Sequence, residues 1–445
     1  MSFLRFSALD NCRIGVWGAG VETRSFARAL HSHLARARIT VVVLEGSADA
    51  PELTDGARVV GASEAVDALA ACDVLVRSPG VSRHRPELRA IAARGTPIVT
   101  PTGLWFSERN GRNTIGITAT KGKSTTASLV AHLVAAAGRS VQLAGNIGRP
   151  VLELLDGGET ELAVVELSSY QIADLEHGPS VAMAGNLYRE HLNWHLTDEA
   201  YRRDKLRLLS LPGVERCVVN ALSPEVMAAP RAPGPVFAYG TAPGWHVGDD
   251  GSVVKDGGAP LARDVLPLRG PHNALNLCGA LTALEALDIP LPALPEAFVG
   301  FEALPHRLQT VHRADGVEWV DDSISTTPES TIAALASFPD ERLILIGGGF
   351  DRGQDYTELG QVAARSGVKV LTLPVTGVRL ARAVREAGGD AREVDDIPAA
   401  VAAARALAAP GTVVLLSPGA PSFNMYVDYQ ARGDHFRDLA ASSTN

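Results

Sequence analysis

The sequence predicts an α/β protein of three domains, each built on a largely parallel sheet, and three observations carry that prediction. Apolar strand-like runs alternate with segments of helical periodicity almost from end to end, the order that parallel sheets require. Two of the early strands run into glycine-rich turns followed at once by a helix, Gly15-Val-Trp-Gly18-Ala-Gly20 and Gly116-Ile-Thr-Ala-Thr-Lys-Gly122. The chain has 445 residues, enough at roughly 100–200 residues per domain for about three hydrophobic cores.

Taken in order, the first unit reads as a strand at Arg13–Trp17, a helix over Glu22–Leu34 and a strand at Thr40–Leu44. Further strands are expected at Asp73–Arg77 and Pro97–Val99, before the polar, turn-prone stretch Ser107–Asn113. A second region opens with a strand at Thr114–Thr118 and a helix over Lys123–Ala137, with strands near Glu161–Glu166 and Val181–Gly185. Between about Pro224 and Pro267 the chain turns rich in Gly and Pro, which predicts an antiparallel excursion before a helix over His272–Leu287. The third region starts around Leu304–Arg307. It alternates strand (Val317–Asp321), helix (Glu329–Phe338) and strand (Arg342–Ile346), on to Thr412–Leu416 and a final amphipathic helix. Ala-rich Ile397–Ala409 reads as a packed helix, and no internal repeat is present.

Composition removes several functional classes. Hydrophobic residues make up 46% and charged residues 20%, the mix of a globular enzyme. Forty-one Lys and Arg against fifty Asp and Glu leave a net charge of −9, a field that favours neither nucleic acid nor an anionic membrane. No run approaches the eighteen or so apolar residues of a membrane span, and Met1–Asp10 lacks the layout of a signal peptide. Cys12, Cys72, Cys217 and Cys278 are widely spaced, which argues against a zinc ribbon or disulfide framework and predicts free thiols in a cytoplasmic protein.

The strongest chemical signal is Gly116-Ile-Thr-Ala-Thr-Lys-Gly-Lys-Ser-Thr125, between a strand and a helix. Backbone N–H groups in such a loop, with a helix N-terminus behind them, form an anion cradle. Lys123 would reach the β- and γ-phosphates of a nucleotide and Ser124 would ligate Mg²⁺. Five residues separate Gly116 from Gly122, one more than the strict spacing. The N-terminal Gly15-Val-Trp-Gly18-Ala-Gly20-Val-Glu-Thr23 is a dinucleotide-type fingerprint with Thr23 at the third glycine, and Glu45 closes the next strand. That turn suits a dinucleotide, the diphosphate of a nucleotide sugar, or no ligand at all. Ser78-Pro79-Gly80 falls where the ligand-facing loops of the same sheet belong. Glu166-Leu-Ser-Ser-Tyr-Gln171 places Glu166 at the carboxyl end of a strand, and His191 follows another. His191 and His195 have zincin spacing, but Leu192 stands where that chemistry needs Glu, so zinc peptidase activity is rejected.

Thr120-Lys-Gly-Lys-Ser-Thr125, Gly145-Asn-Ile-Gly148, Glu166-Leu-Ser-Ser-Tyr-Gln171, His272-Asn-Ala-Leu-Asn276, Leu304-Pro-His-Arg307 and Asp322-Ser-Ile-Ser-Thr326 together resemble the Mur ligase family, over about residues 14–435. Glu166–Gln171 and Leu416-Ser-Pro-Gly-Ala-Pro-Ser422 are most similar to the branch that adds glutamate to UDP-N-acetylmuramoyl-L-alanine. The resemblance implies a Rossmann-like nucleotide-sugar domain (1–107), a central P-loop ATPase-like domain (108–306) and a Rossmann-like C-terminal domain that binds glutamate (307–445). It implies ATP-driven amide formation through an acyl phosphate in peptidoglycan precursor synthesis, by a cytoplasmic monomer with no nucleic-acid or membrane partner. It also implies two Mg²⁺ sites served by Ser124, Glu166, His191 and a carbamate on Lys205, with Lys123 catalytic. ATP would further meet Thr120, Lys121, Gly122, Thr125, Asn273 at the adenine, Arg307 and Asp322. The UDP-linked substrate would meet Gly18, Ala19, Gly20, Glu45, Ser78 and Asn146, and glutamate would meet Thr326, Arg352, Ser422 and Tyr429. Closure of the C-terminal domain is expected to complete the site.

The chain departs from the family pattern at Ala119 and Lys121, where Gly and Asn are usual, and at Glu190, where Asp is usual. Ile324 stands where D-glutamate-adding relatives carry Lys, Arg352 where Lys is common, and Tyr429 where Phe is usual. A rearranged set of cations is what inversion at the α-carbon demands, so L-glutamate is expected in place of D-glutamate. An NAD-dependent oxidoreductase would leave the phosphate loop unused, a P-loop motor would leave the first domain unused, and a folate or γ-polyglutamate ligase is disfavoured by Glu166–Gln171.

Overall fold

The computed structural model describes residues 4–44, 50–156, 161–188, 192–302 and 304–442. It contains three larger sheets. The first joins β1 (Arg13–Trp17), β2 (Arg38–Val43), β3 (Arg58–Val60), β4 (Val74–Arg77) and β5 (Ile98–Val99), all parallel, in the order β3-β2-β1-β4-β5. The order reverses at β1, so the turn after β1 and the loop after β4 open side by side at the carboxyl edge, where ligands bind in such sheets. The second sheet is also wholly parallel. It joins β6 (Thr114–Thr118), β7 (Val141–Gly145), β8 (Leu162–Glu166), β9 (Val181–Ala184), β10 (Arg216–Asn220) and β11 (Val236–Tyr239) in the order β11-β10-β9-β6-β8-β7. β6, β8 and β9 are buried along their whole length, as strands covered on both faces must be.

The Gly- and Pro-rich stretch is only partly the antiparallel excursion expected. β11 pairs in parallel with β10, and the antiparallel part is a short ribbon of β12 (His246–Val247) and β13 (Val253–Val254). The third sheet joins β14 (Gln309–Ala314), β15 (Val317–Asp321), β16 (Arg342–Gly348), β17 (Lys369–Leu373), β18 (Asp390–Glu393) and β19 (Thr412–Leu416) in the order β14-β15-β19-β16-β17-β18. Its one antiparallel pair is the hairpin β14–β15.

The chain divides into two compact units, Met1–Val265 with Leu275–Val299, and Leu266–Ala274 with Gly300–Asn445. The first contains two sheets because one hydrophobic core runs under both. Ile14, Val16 and Phe26 of the first sheet's layer belong to the same buried cluster as Val165, Ala182 and Val219 of the second. Helix Pro101–Arg109 supplies Leu104, Trp105 and Phe106 to that cluster, and Thr100 caps it by accepting from the Gly103 amide. In the second unit separate clusters pack on the two faces of one sheet, around Leu345 and Leu415 on one side and Ile346 and Leu416 on the other.

Buried Arg432 fastens two loops of the second unit. Its Nε donates to Ser323 Oγ (2.9 Å), its Nη2 to Ser323 O (2.8 Å) and its Nη1 to Ala420 O (3.0 Å). Burial pulls this guanidinium down to about 10, against the attraction of Asp321. Arg432→Leu strands three buried acceptors, and a loss of about 3 kcal/mol is expected, read by differential scanning calorimetry of parent and variant. An unchanged transition would mean that the loops hold themselves.

Candidate active site

Helix Lys123–Ala136 begins directly from the loop after β6, and Gly122 stands at its N-cap with φ +84°. Only glycine suits that position twice over. The left-handed backbone disfavours a side chain, and a Cβ would lie 2.4 Å from Asn276 Oδ1. Asn276, at the far end of the His272–Asn276 motif, therefore backs the phosphate loop, a role its sequence position did not announce. The loop is further held by Asn186, which accepts the Thr120 amide on its carbonyl (2.8 Å) and the Lys121 amide on Oδ1 (3.0 Å). Thr120 Oγ1 lies 2.7 Å from Tyr201 OH and accepts from the Tyr188 amide (2.9 Å). Lys123 Nζ folds back to donate to Thr120 O (3.0 Å). Lys121, Lys123, Asn186, Asn220, Tyr239 and Asn276 line a small cleft over the loop.

Glu166 ends β8 and is buried. Its Oε1 accepts from Asn146 Nδ2 (2.8 Å), and the Asn146 amide donates to Glu166 O (2.9 Å). Its Oε2 is buried and meets no hydrogen-bond donor among the described residues. Thr125 Oγ1, one turn into the phosphate-loop helix, is buried in the same condition. An unsatisfied anionic oxygen is costly unless a cation meets it. Among the described residues no three His, Cys, Asp or Glu side chains cluster as a ready-made metal cage. One carboxylate with hydroxyls and phosphate oxygens is instead the donor set that Mg²⁺ accepts, and the unmet Glu166 Oε2 fits that ion.

Lys205 is buried on helix Asp198–Leu206 and reaches the same place. Its Nζ donates to Ala119 O (2.8 Å), lies 3.4 Å from Thr118 Oγ1 and sits 5.2 Å from the centre of the Tyr201 ring. Lys123 and Lys205 thus reach the loop after β6, while Glu166 and Asn146 stand at the carboxyl ends of the neighbouring β8 and β7. His191 and Glu190 lie outside the described residues. His195 does not act as a ligand. It is buried with both ring nitrogens engaged, Nδ1 2.9 Å from Asp204 Oδ2 and Nε2 2.9 Å from Ser169 Oγ. Burial pushes the Asp204 carboxyl up, but the bond to His195 and the nearby Arg203 and Arg83 bring it below the usual range.

At the first sheet, Gly18, Gly20 and Ser78 come together as expected. A Cβ on Gly18 would lie 2.9 Å from Ser78 Cβ, and one on Gly20 would lie 2.8 Å from Ser78 Oγ. Ala19 lies between these two glycines, and its carbonyl accepts from Arg24 Nε (3.1 Å). Thr23 tightens the turn from inside, its Oγ1 2.7 Å from Gly18 O and 3.0 Å from Gly20 O. Glu45 lies outside the described residues. Gln171 of the Glu166–Gln171 motif turns out to join the two sheets: its Nε2 donates to Glu22 Oε1 (2.7 Å), while Thr102 Oγ1 donates to Glu22 Oε2 (2.6 Å). Burial raises the Glu22 carboxyl, partly offset by these two bonds.

In the second unit, Asp322 is buried and accepts from the Leu308 amide (3.2 Å) and Ser417 Oγ (2.8 Å). Arg307 lies close enough to bias both Asp322 and His272 electrostatically, and Asn273 follows His272, its Nδ2 donating to Arg269 O (2.7 Å). Arg307, Asp322 and the Asn273 segment therefore form one neighbourhood. Thr326, Arg352 and Ser422 form another. The Arg352 guanidinium lies 5.5 Å over the ring of Phe423, next to buried Ser422, and Gln354 Nε2 donates to Thr326 O (3.3 Å). Tyr429 is placed by different contacts: its carbonyl accepts from Ser323 Oγ (2.8 Å), and its ring stands edge-on to His306 at 6.0 Å.

Two titrations in this unit oppose each other. Burial raises the Asp322 carboxyl to about 6, and burial with the Arg307 charge lowers His272 to about 4. A raised carboxyl favours the fold when protonated, so the Asp322 contribution is complete below about pH 4 and is lost as pH rises through 6. His272 works the other way, its contribution present above about 6.5 and lost towards 4. Asp322→Asn removes one of the two. Relative to the parent, the variant should gain up to about 3 kcal/mol between pH 4 and 7, measured by calorimetry across that range. A difference that stays flat would mean that the carboxylate is not desolvated.

Comparison with known proteins agrees with this arrangement. Residues 117–284 match the family model for the Mur ligase middle domain, and residues 306–419 match that for the Mur ligase glutamate ligase domain. The chain is 40% identical over 454 residues to the UDP-N-acetylmuramoyl-L-alanine--L-glutamate ligase of Xanthomonas campestris pv. campestris (strain 8004), covering 98% of this chain and 97% of that protein. It is 38% identical to the protein of the same name from Micromonospora sp., covering 98% of each. Two solved structures share the fold at 16% identity. UDP-N-acetylmuramate-alanine ligase MurC from Thermotoga maritima has a TM-score of 0.61 over 96% of this chain and 98% of its own. MurF ligase from Thermotoga maritima, in complex with ADP, has a TM-score of 0.60 over 98% and 96%. With a phosphate loop, a buried carboxylate and a buried lysine at the carboxyl edge of one sheet, and near-full-length relatives at this identity, the chain belongs to the Mur ligase family of ATP-dependent amide-forming ligases.

Proposed function

We propose that the protein joins L-glutamate to the terminal carboxylate of UDP-N-acetylmuramoyl-L-alanine, with release of ADP and phosphate, in cytoplasmic synthesis of peptidoglycan precursors. The observation that carries the reading is that Lys123 and Lys205 bond to the phosphate loop after β6 while Glu166 and Asn146 stand bonded to each other at the ends of the neighbouring strands. The relatives' names support the substrate, and Ile324 with Arg352 supports the enantiomer.

The substrate carboxylate and the γ-phosphate are both anions, so bringing them together is mainly a problem of positioning and charge. The loop amides of residues 120–125 and Lys123 hold the phosphates. The carboxylate oxygen attacks the γ-phosphorus, ADP leaves, and the glutamate amine then attacks the acyl phosphate to give amide and inorganic phosphate. Mg²⁺, held by Ser124 and Glu166, and by His191 at a second site, would offset the charge of the phosphates. A carbamate on Lys205 would turn a cationic side chain into an oxygen donor for the same ion. Asn146, anchored on Glu166, presents its remaining amide hydrogen to the substrate carboxylate. Asn273, Arg307 and Asp322 serve adenine, phosphate and ribose.

Gly18, Gly20 and Ser78 offer a tight turn for the diphosphate of the nucleotide sugar, with Ala19 and Glu45 beside it. Thr326, Arg352, Ser422 and Tyr429 take the two carboxylates of glutamate. No helix among the described residues is long and apolar enough to cross a membrane. The net charge of −9 supports the absence of a nucleic-acid partner, and the protein acts as a monomer in this reading.

Lys123→Ala should lower ligation by 10²–10³, about 3–4 kcal/mol, in a protein that remains folded, measured by phosphate release that depends on both substrates. Near-parental turnover in the folded variant would remove the phosphate-loop assignment. With ATP and the UDP-linked substrate saturating, kcat/KM for L-glutamate should exceed that for D-glutamate by more than about tenfold, because the wrong enantiomer leaves a charged group unpaired. A faster reaction with D-glutamate would overturn the enantiomer while leaving the ligase standing.

A further inference from the structure

Helix Asp198–Leu206 sends side chains two ways. Tyr201 and Lys205, four residues apart on one face, reach the phosphate loop at Thr120 Oγ1 (2.7 Å) and Ala119 O (2.8 Å). Asp204 points off that face, into the buried imidazole of His195. The ring of His195 also stands edge-on to Tyr201 at 5.4 Å. On its far side Nε2 meets Ser169 Oγ, three residues after Glu166. With Asp204 ionised, Nδ1 carries the proton and Nε2 accepts from the serine hydroxyl. His195 itself is fixed by its neighbour: Trp194 stacks on Tyr170 at 4.7 Å, and its Nε1 donates to Pro79 O (3.1 Å).

A helix of nine residues has little stiffness of its own, so its rotation depends on tertiary contacts. A one-residue offset between Asp204 and Lys205 means that whatever holds the carboxylate sets the direction of the amine. We infer that His195 is a positioning residue for the reaction: by clamping Asp204 to the segment that follows Glu166, it sets where Lys205 stands relative to the phosphate loop. The inference rests on the reading that Lys205 serves the reaction. It predicts an effect transmitted through Lys205 and absent without it.

The test is a double-variant cycle in the full-length protein, with ATP, UDP-N-acetylmuramoyl-L-alanine and L-glutamate. His195→Phe keeps ring volume and removes both bonds. It should lower kcat by about 10- to 100-fold, the scale of a group displaced by an ångström, with the KM for ATP within about twofold of the parent. In a Lys205→Ala background the same change should cost less than about threefold, because the group being positioned is gone. His195→Asn, whose Nδ2 can still donate to Asp204, should recover much of the lost rate. A folded His195→Phe protein with parental kcat, even if it melts earlier, would overturn the inference, as would an equal loss with and without Lys205. Should His195→Phe fail to fold, Asp204→Ala, which removes the other end of the same bond, carries the same cycle with the same two outcomes. Parental turnover by Lys205→Ala alone would overturn the reading of Lys205 and this inference with it. A crippled Lys205→Ala beside a normal His195→Phe would overturn only the positioning role.

Discussion

A Cβ on Gly145 would lie 2.2 Å from the carbonyl oxygen of Glu166 and 3.0 Å from its amide nitrogen. The ends of β7 and β8 therefore touch backbone to backbone, in a left-handed turn at φ +115° that glycine alone adopts without strain. Much of the site depends on that approach. It lets the Asn146 amide reach Glu166 O and the Asn146 side chain reach Oε1 of the same residue. One carboxylate oxygen is thereby tied down, and the other is left buried and facing away. A carboxylate held in this way has one direction in which to act, which is what chemistry between two anions needs from its surroundings.

The second unit achieves precision by a different route. Its loops add to backbone contact, such as the Gly419 amide on Ser325 O (3.0 Å), one buried guanidinium that reaches both the 323 and the 420 segments. Asp322 leaves β15 beside those segments, with its carboxylate shared between Ser417 and the Leu308 amide. The titrations of Asp322 and His272 follow from how deeply each is set. The exposed Arg352, leaning on Phe423, is the contrasting case, a cation kept near water and oriented by an aromatic face.

Whatever depends on neighbours in sequence was legible before the structure. β1, β6, β15 and β19 occupy the spans their apolar runs predict, and the phosphate loop lies between a strand and a helix as its glycines require. The place of Glu166 at the end of β8 was readable because the apolar run stops there. Three-residue β3 escaped notice because it is too short to show alternation. The pairs that hold the site together were not legible for a different reason. Glu22 with Gln171 spans 149 positions, and Ser323 with Arg432 spans 109. Neither member of such a pair carries a periodicity that names the other. Gln171 was read only as the end of the Glu166–Gln171 motif and His195 only as half of a rejected zincin spacing, and each proves to be bonded into the framework. Two sheets inside one compact unit were equally invisible, since a shared core is a property of packing and not of either sheet's own pattern.

Thr23 has a wider bearing. Its hydroxyl, 2.7 Å from Gly18 O and 3.0 Å from Gly20 O, stitches the strand-to-helix turn shut from within. The third glycine of a diphosphate-binding turn is ordinarily explained by the need for close packing between helix and strand. Here a small polar side chain occupies that space and bonds to the turn, so the shape survives the loss of the residue that usually marks it. A search keyed to three glycines would pass over this strand, while one that accepts any small side chain able to bond back to the turn would find it.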